Sequence, residues 1–140
     1  MYHNSISLGD LEKMVNTISK ARAKARQAIE SLYEHTCTII EYKKVKDEVT
    51  KVTGMKEVSM LEDHPCKLSY TTVKASNQTE SVNQVQQVIK LLISPDVEIK
   101  EGSKVIVMHN DRISEYKNSG VPSVFPTHQE IVLERFEGWA

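Results

Sequence analysis

The chain has 140 residues, 39% of them hydrophobic and 26% charged, and its 18 basic and 19 acidic side chains leave a formal net charge of −1. That length supplies one domain with a modest core, and the composition points to a globular fold rather than a disordered chain. The near-neutral balance speaks against a free nucleic-acid binder, which carries a strong basic excess, while leaving room for a local basic stripe.

The first predicted element is a helix. Leu8, Leu11, Val15, Ile18, Arg22, Ala25, Ile29 and Leu32 recur at alternating steps of three and four, the repeat of one helix face. Ser7 suits the N-cap, and Asp10 and Glu12 fall in the first turn, where the helix dipole favours acid. The pattern predicts a helix over 8–34 that is too poor in apolar area to stand alone and needs a partner surface. Packing on the chain's own sheet and a seam between copies would leave the same heptad spacing. Lys13, Lys20 and Lys24 line up away from the seam and form a candidate interface. A solvated helix face is the plainer explanation for them.

From Thr36 the period changes to two, and the remainder, 36–137, is expected to form strands. Thr36–Lys44 alternates and is rich in β-branched residues. Residues 47–54 form a turn region, with Gly54 closing a hairpin. Lys56–Leu61 resumes as a strand, Asp63-His-Pro65 breaks it, and Cys66–Tyr70 alternates again with Cys66, Leu68 and Tyr70 on one face. Residues 71–83, rich in Ser, Thr, Asn and Gln, are expected to be a long loop, of the kind that is functional, disordered or a tolerated insertion. Gln84–Ser94 reads as an apolar strand and Glu101-Gly102 as a turn. Ser103–His109 and Arg112–Lys117 are expected to pair through an Asn110-Asp111 tip. The last strand is expected near Gln129–Phe136. Several short strands joined by turn signals imply a sandwich or small barrel. The fold class is therefore mainly β, a small antiparallel β-barrel preceded by one long amphipathic helix, in a single domain over 1–140.

Few residues suggest chemistry. His35-Thr-Cys37 and His64-Pro-Cys66 are two His-x-Cys pairs, and on neighbouring strands His35, Cys37, His64 and Cys66 could supply a tetrahedral zinc site. Their spacing is unlike the common Cys-x-x-Cys frameworks, and buried cysteines with histidines at strand entrances explain the pattern more simply. His128, beside Thr127 and Glu130, has the outline of a base with its orienting acid, but no motif places a nucleophile. The five glycines are isolated from one another, so no glycine-rich loop cradles a phosphate. Neither an enzyme nor a cofactor is expected. No window reaches the roughly 18 apolar residues of a membrane span, and Met1–Ser5 lacks the start of a leader. The two cysteines are expected to be reduced, as in a cytoplasm.

Several blocks, in order, carry a resemblance: Tyr42-Lys-Lys-Val-Lys-Asp-Glu-Val-Thr-Lys51, His64-Pro-Cys-Lys-Leu-Ser-Tyr70, Val97-Glu-Ile-Lys-Glu-Gly-Ser103 and Pro126-Thr-His-Gln-Glu-Ile-Val-Leu133, behind the N-terminal basic amphipathic helix. In these the chain resembles the head-completion proteins of tailed bacteriophages and of phage-like elements related to the defective prophage PBSX. The resemblance implies a stopper or connector, a small β-barrel that assembles as a ring under the portal and adaptor proteins, closes the DNA channel and receives a tail-completion protein. It implies a place in the neck of the virion, with the host cytoplasm as the site of assembly. By the same analogy Ser76, Asn77, Gln78, Thr79, Glu80 and Ser81 form a channel loop in transient contact with packaged DNA, and the helix touches neighbouring subunits or the adaptor. The alternative is a small β-barrel that binds nucleic acid or protein, with Lys43, Lys44, Lys46, Lys51 and Lys56 around the first hairpin as its basic residues.

Overall fold

The structure, a computed structural model, describes residues 7–74 and 85–139. It opens with helix α1, Leu8–Glu30. Ser7 caps it as expected, its hydroxyl accepting from the Asp10 amide at 3.1 Å. The helix stops four residues short of the predicted end at 34. Leu32 and Tyr33 donate their amides to Ile29 and Glu30 in tight three-residue turns, and the Ser31 hydroxyl donates to the Ala28 carbonyl. The β-branched run that follows needs an extended entry, and these tightened turns provide it.

The strands are β1 His35–Lys46, β2 Thr53–Lys74, β3 Val85–Ile93, β4 Lys104–His109, β5 Arg112–Asn118, β6 Ser123–Val124 and β7 Gln129–Arg135. Every pairing is antiparallel, and β1-β2-β3-β7-β5-β4 closes because β4 also pairs with β1. The expected mainly β, ring-like antiparallel sheet behind one helix is what the chain forms. Its interior is filled by alternate residues of each strand. Cys37 and Ile39, Cys66 and Leu68, Leu91 and Ile93, Val105 and Val107, and Ile131 and Leu133 are all buried, with Ile99 from the loop before β4.

Three strand expectations change. Asp63-His-Pro65 does not break the chain, and β2 runs as one strand of 22 residues. A bulge absorbs the irregularity: the register jumps between Cys37 and Ile39, and Asp63 takes a left-handed conformation with φ 48°. Pro65 is tolerated because β3 begins to pair only at Lys67, so the outer edge of β2 has no ladder there to lose. The β1–β2 hairpin is closed by Asp47, not Gly54, which pairs with Val45 inside the ladder. The Asp47 carboxylate accepts from the Val49 amide at 2.9 Å, its own amide donates to the Val52 carbonyl, and Lys51 takes φ 57°. Finally, Thr71–Lys74 is strand, paired with Val85–Val88, so the predicted loop loses its first four residues. The Asn110-Asp111 tip is as expected, with both residues at positive φ, the two-residue turn that matches strand twist.

Strand β2 is longer than the barrel it helps to build. β1 pairs with β4 only over Thr36–Ile40, and β3 pairs with β7 only over Ile89–Ile93. The pairs Glu41–Lys46 with Thr53–Val58, and Thr71–Lys74 with Val85–Val88, are therefore two-stranded ribbons at the two ends of β2. At about 3.3 Å per residue the strand would measure roughly 70 Å fully extended.

Candidate functional site

The register puts the four expected zinc ligands on facing strands, with His35 opposite Cys66 and Cys37 opposite His64. Their environments then divide them. Both cysteines are buried in the barrel interior. A hydrogen bond with Cys37 and burial hold the Cys66 thiol above its ordinary value, which keeps it protonated and unreactive. His35 accepts the Leu68 amide at Nδ1, 3.2 Å away, and packs its ring against His109 with centroids 5.1 Å apart. Burial and the neighbouring His109 lower the His35 pKa, with Glu34 opposing them. His109 meets the Ser114 hydroxyl in turn. Among the described residues no group of three or more His, Cys, Asp or Glu is placed to hold a metal ion. The His-x-Cys spacing fixes a shared face, but His35 is engaged by the Leu68 amide and both cysteines are buried in the barrel interior.

His128 does meet the neighbours suggested for it. Its Nε2 lies 3.3 Å from Glu130 Oε1 and its Nδ1 lies 3.1 Å from Thr127 Oγ1. The ring stacks on Phe125 at 4.9 Å, Glu130 also meets Lys90, and the His128 carbonyl accepts the Phe125 amide. These contacts knit the β6–β7 turn together.

The barrel also has two buried polar brackets. Asn118 donates from its amide nitrogen to the Ile99 carbonyl at 3.1 Å and accepts the Gly120 amide at 3.0 Å. Gln129 donates to the Ser94 carbonyl at 2.7 Å and to the Val97 carbonyl. Together they hold the 94–103 loop against the strands, and with it the acidic sequence Asp96-Val-Glu98. On the outside, Trp139 stacks on Tyr42 at 5.1 Å, stands edge-on to Phe136, and donates from Nε1 to Glu57 at 3.1 Å. The Lys104 ammonium sits 4.7 Å from the Phe136 ring centroid and within reach of Glu57 and Glu115. Nothing in the local pattern of the chain announces this clasp, since its members come from opposite ends of the sequence.

The helix α1 is itself an unusual surface. None of its residues is buried. Leu8, Leu11, Met14, Val15 and Ile18 stay between 47% and 81% exposed, so this part of the seam that was expected to need a partner is left uncovered by the described residues of its own barrel. Arg26 holds the helix to the body. Its Nη1 meets Asp96 Oδ2 at 2.7 Å, and its Nε and Nη2 donate to the Pro126 carbonyl at 3.2 and 3.0 Å. Lys13, Lys20 and Lys24 are exposed and, at 100° per residue, share the side opposite the apolar seam. Between Lys13 and Arg26 every charged residue is basic. The expected channel loop, Ser76, Asn77, Gln78, Thr79, Glu80 and Ser81, lies outside the described residues. No helix among the described residues is long and apolar enough to cross a membrane.

No protein-family model matches the chain, and no curated protein matches it. Among solved structures it is similar to the phage-like element PBSX protein xkdH from Bacillus subtilis, with 16% identity, a TM-score of 0.46, and coverage of 74% of this chain and 94% of that one.

Proposed function

We propose that this chain is a structural protein of a tailed bacteriophage or prophage. In this reading it completes the head and joins it to the tail, assembling as a ring under the portal and adaptor proteins in the neck of the particle and acting by shape alone. The observation that carries the reading is the seam of α1, a row of large apolar side chains left in water on a helix anchored by one arginine. An exposed patch of this kind on a folded chain marks a surface reserved for another molecule. Two ribbons at the ends of one strand add further contact surfaces, as a part joining two assemblies requires. The sequence blocks that resemble head-completion proteins supply the setting.

In that setting the tail-completion protein meets the side of the ring away from the portal and adaptor. The histidines considered for chemistry, His35 for metal and His128 as a base, are used for support, both engaged by near neighbours. Assembly takes place in the host cytoplasm.

A second reading, a nucleic-acid-binding barrel, is favoured by Lys13, Lys20 and Lys24 on one exposed face. It requires duplex binding by the isolated chain that weakens steeply with salt. The test of the first reading is deletion of the gene from the phage or prophage that encodes it, followed by negative-stain imaging. Heads without tails and without retained DNA are expected. Normal tailed particles, or mature particles that lack the protein, would overturn it.

A further inference from the structure

We propose that, within the ring assembly described above and resting on it, α1 of each copy docks its apolar seam into a groove on the barrel of the next copy. The groove runs beside the 94–103 loop. Leu61 and Val97 form its floor, Met60 its apolar rim, and Glu41, Asp96, Glu98 and Lys100 its charged edge, where Glu41 pairs with Lys43 and Lys100 and Asp96 pairs with Arg26. Leu61 and Val97 are half-buried against the core, while Met60 is 47% exposed. The seam has the complementary character. Leu11, Val15 and Ile18 share one face with Arg22, and no carboxylate falls between Lys13 and Arg26. A basic residue in the middle of an apolar contact needs an acidic partner, and of the groove's carboxylates Glu98 is exposed and makes no ion pair among the described residues, whereas Glu41 and Asp96 do.

Geometry separates the two surfaces within one copy. Arg26 is pinned to Asp96, which stands at the groove. At 1.5 Å per residue, Leu11 lies roughly 22 Å along the helix from that pin and Val15 roughly 16 Å. No α1 residue lines the groove, and Leu11, Val15 and Ile18 are 47–58% exposed, so among the described residues both surfaces are open to other copies. A symmetric parallel pairing of two α1 helices would set Arg22 against Arg22, a like-charge contact that the groove avoids. Seam and groove are different patches, so the contact is head-to-tail. Such a contact closes into a ring when the rotation per copy allows it. With the seam docked, Lys13, Lys20 and Lys24 face outward.

Sedimentation velocity on the full chain over a range of concentrations tests this, with variants chosen at exposed positions. Val15→Asp spoils the seam and Glu98→Lys spoils the groove. Each is expected to weaken self-association by roughly tenfold or more, and Arg22→Glu combined with Glu98→Lys is expected to restore it. Val15→Asp chains keep a working groove and Glu98→Lys chains keep a working seam. Mixed, the two are expected to form one-to-one pairs and nothing larger. The inference is overturned if the wild-type chain stays monomeric up to millimolar concentration, or if Glu98→Lys associates like wild type while Val15→Asp does not. The second result would mean that α1 pairs with another α1. Far-ultraviolet circular dichroism and urea midpoints matching wild type confirm that each variant is folded. Deletion of the gene tests the virion role separately. A chain that associates in this way yet is dispensable for particles would keep the interface and lose the role.

Discussion

The barrel and the helix before it use their apolar residues in opposite ways. In the barrel, Leu91, Ile93, Val105, Val107 and Ile131 are all at 0% exposure. In α1, side chains of the same kind stand in water, and among the described residues Arg26 makes the side-chain hydrogen bonds that tie the helix to the body. Apolar burial is what stabilises a fold, so the barrel is the source of stability. Apolar exposure costs solubility and is retained where a partner will cover it. A folded chain can thus keep its stability and its assembly surface in separate places, and substitutions should separate the two properties.

The widest separation is expected between Leu91→Ala and Val15→Asp. The first opens a cavity at the centre of the barrel and should cost about 2–5 kcal/mol in urea unfolding. The second changes an exposed position and should stay within about 0.5 kcal/mol of wild type while weakening self-association by roughly tenfold or more. Next is Asn118→Ala, which strands the Ile99 carbonyl and the Gly120 amide. A loss of about 1–3 kcal/mol is expected, with faster amide exchange in the 94–103 loop. If that loop exchanged as in wild type, the bracket would have no role in holding it.

A smaller effect distinguishes the barrel end by pH. His35 has its pKa lowered in the fold from an ordinary 6.5. The unfolded chain therefore takes up a proton that the folded chain refuses. The stabilisation from a neutral His35 is complete above the ordinary value and is lost as pH falls through it toward the folded value. Urea midpoints for wild type should decline below pH 6.5, and His35→Gln should flatten that part of the curve. Asp47 and Glu57 also have lowered values, from backbone hydrogen bonds of Val49 and Thr50 and from the Trp139 hydrogen bond, so their contribution falls away at more acid pH, in the carboxylate range. A small change in stability is also expected for Arg26→Ala, about 0–1 kcal/mol because its partner Asp96 is exposed. Its signature is instead faster amide exchange at the C-terminal end of α1, where the helix loses its anchor.

Much of the barrel was legible because its code is local. Alternation marks Val105 and Val107, the Asn110-Asp111 pair marks a turn with two positive φ angles, and the Ser7 cap marks the start of α1. The errors fall where distant residues decide. Asp63-His-Pro65 reads as a breaker, yet Thr38 across the ladder accepts the Asp63 amide in a bulge, and the open edge of β2 tolerates Pro65. Gly54 resembles a turn residue, but Asp47 closes the turn first. For the site, the seam was visible as a heptad, and its need for a partner followed from its thin apolar area. Its anchor was not visible, because Arg26 finds Asp96 and the Pro126 carbonyl only in three dimensions. The groove was hidden for the same reason: Glu41, Met60 and Val97 belong to three separate segments that only the closed sheet brings together.

Complementation of the gene-deleted phage or prophage with the Val15→Asp chain is the most direct measurement. The variant is expected to accumulate as a folded protein and to yield no tailed, DNA-filled particles, while Leu32→Asp, on the same helical repeat but beyond the end of α1, supports them. Tailed particles at wild-type yield from Val15→Asp would contradict the central claim that this chain works through the exposed seam of its helix.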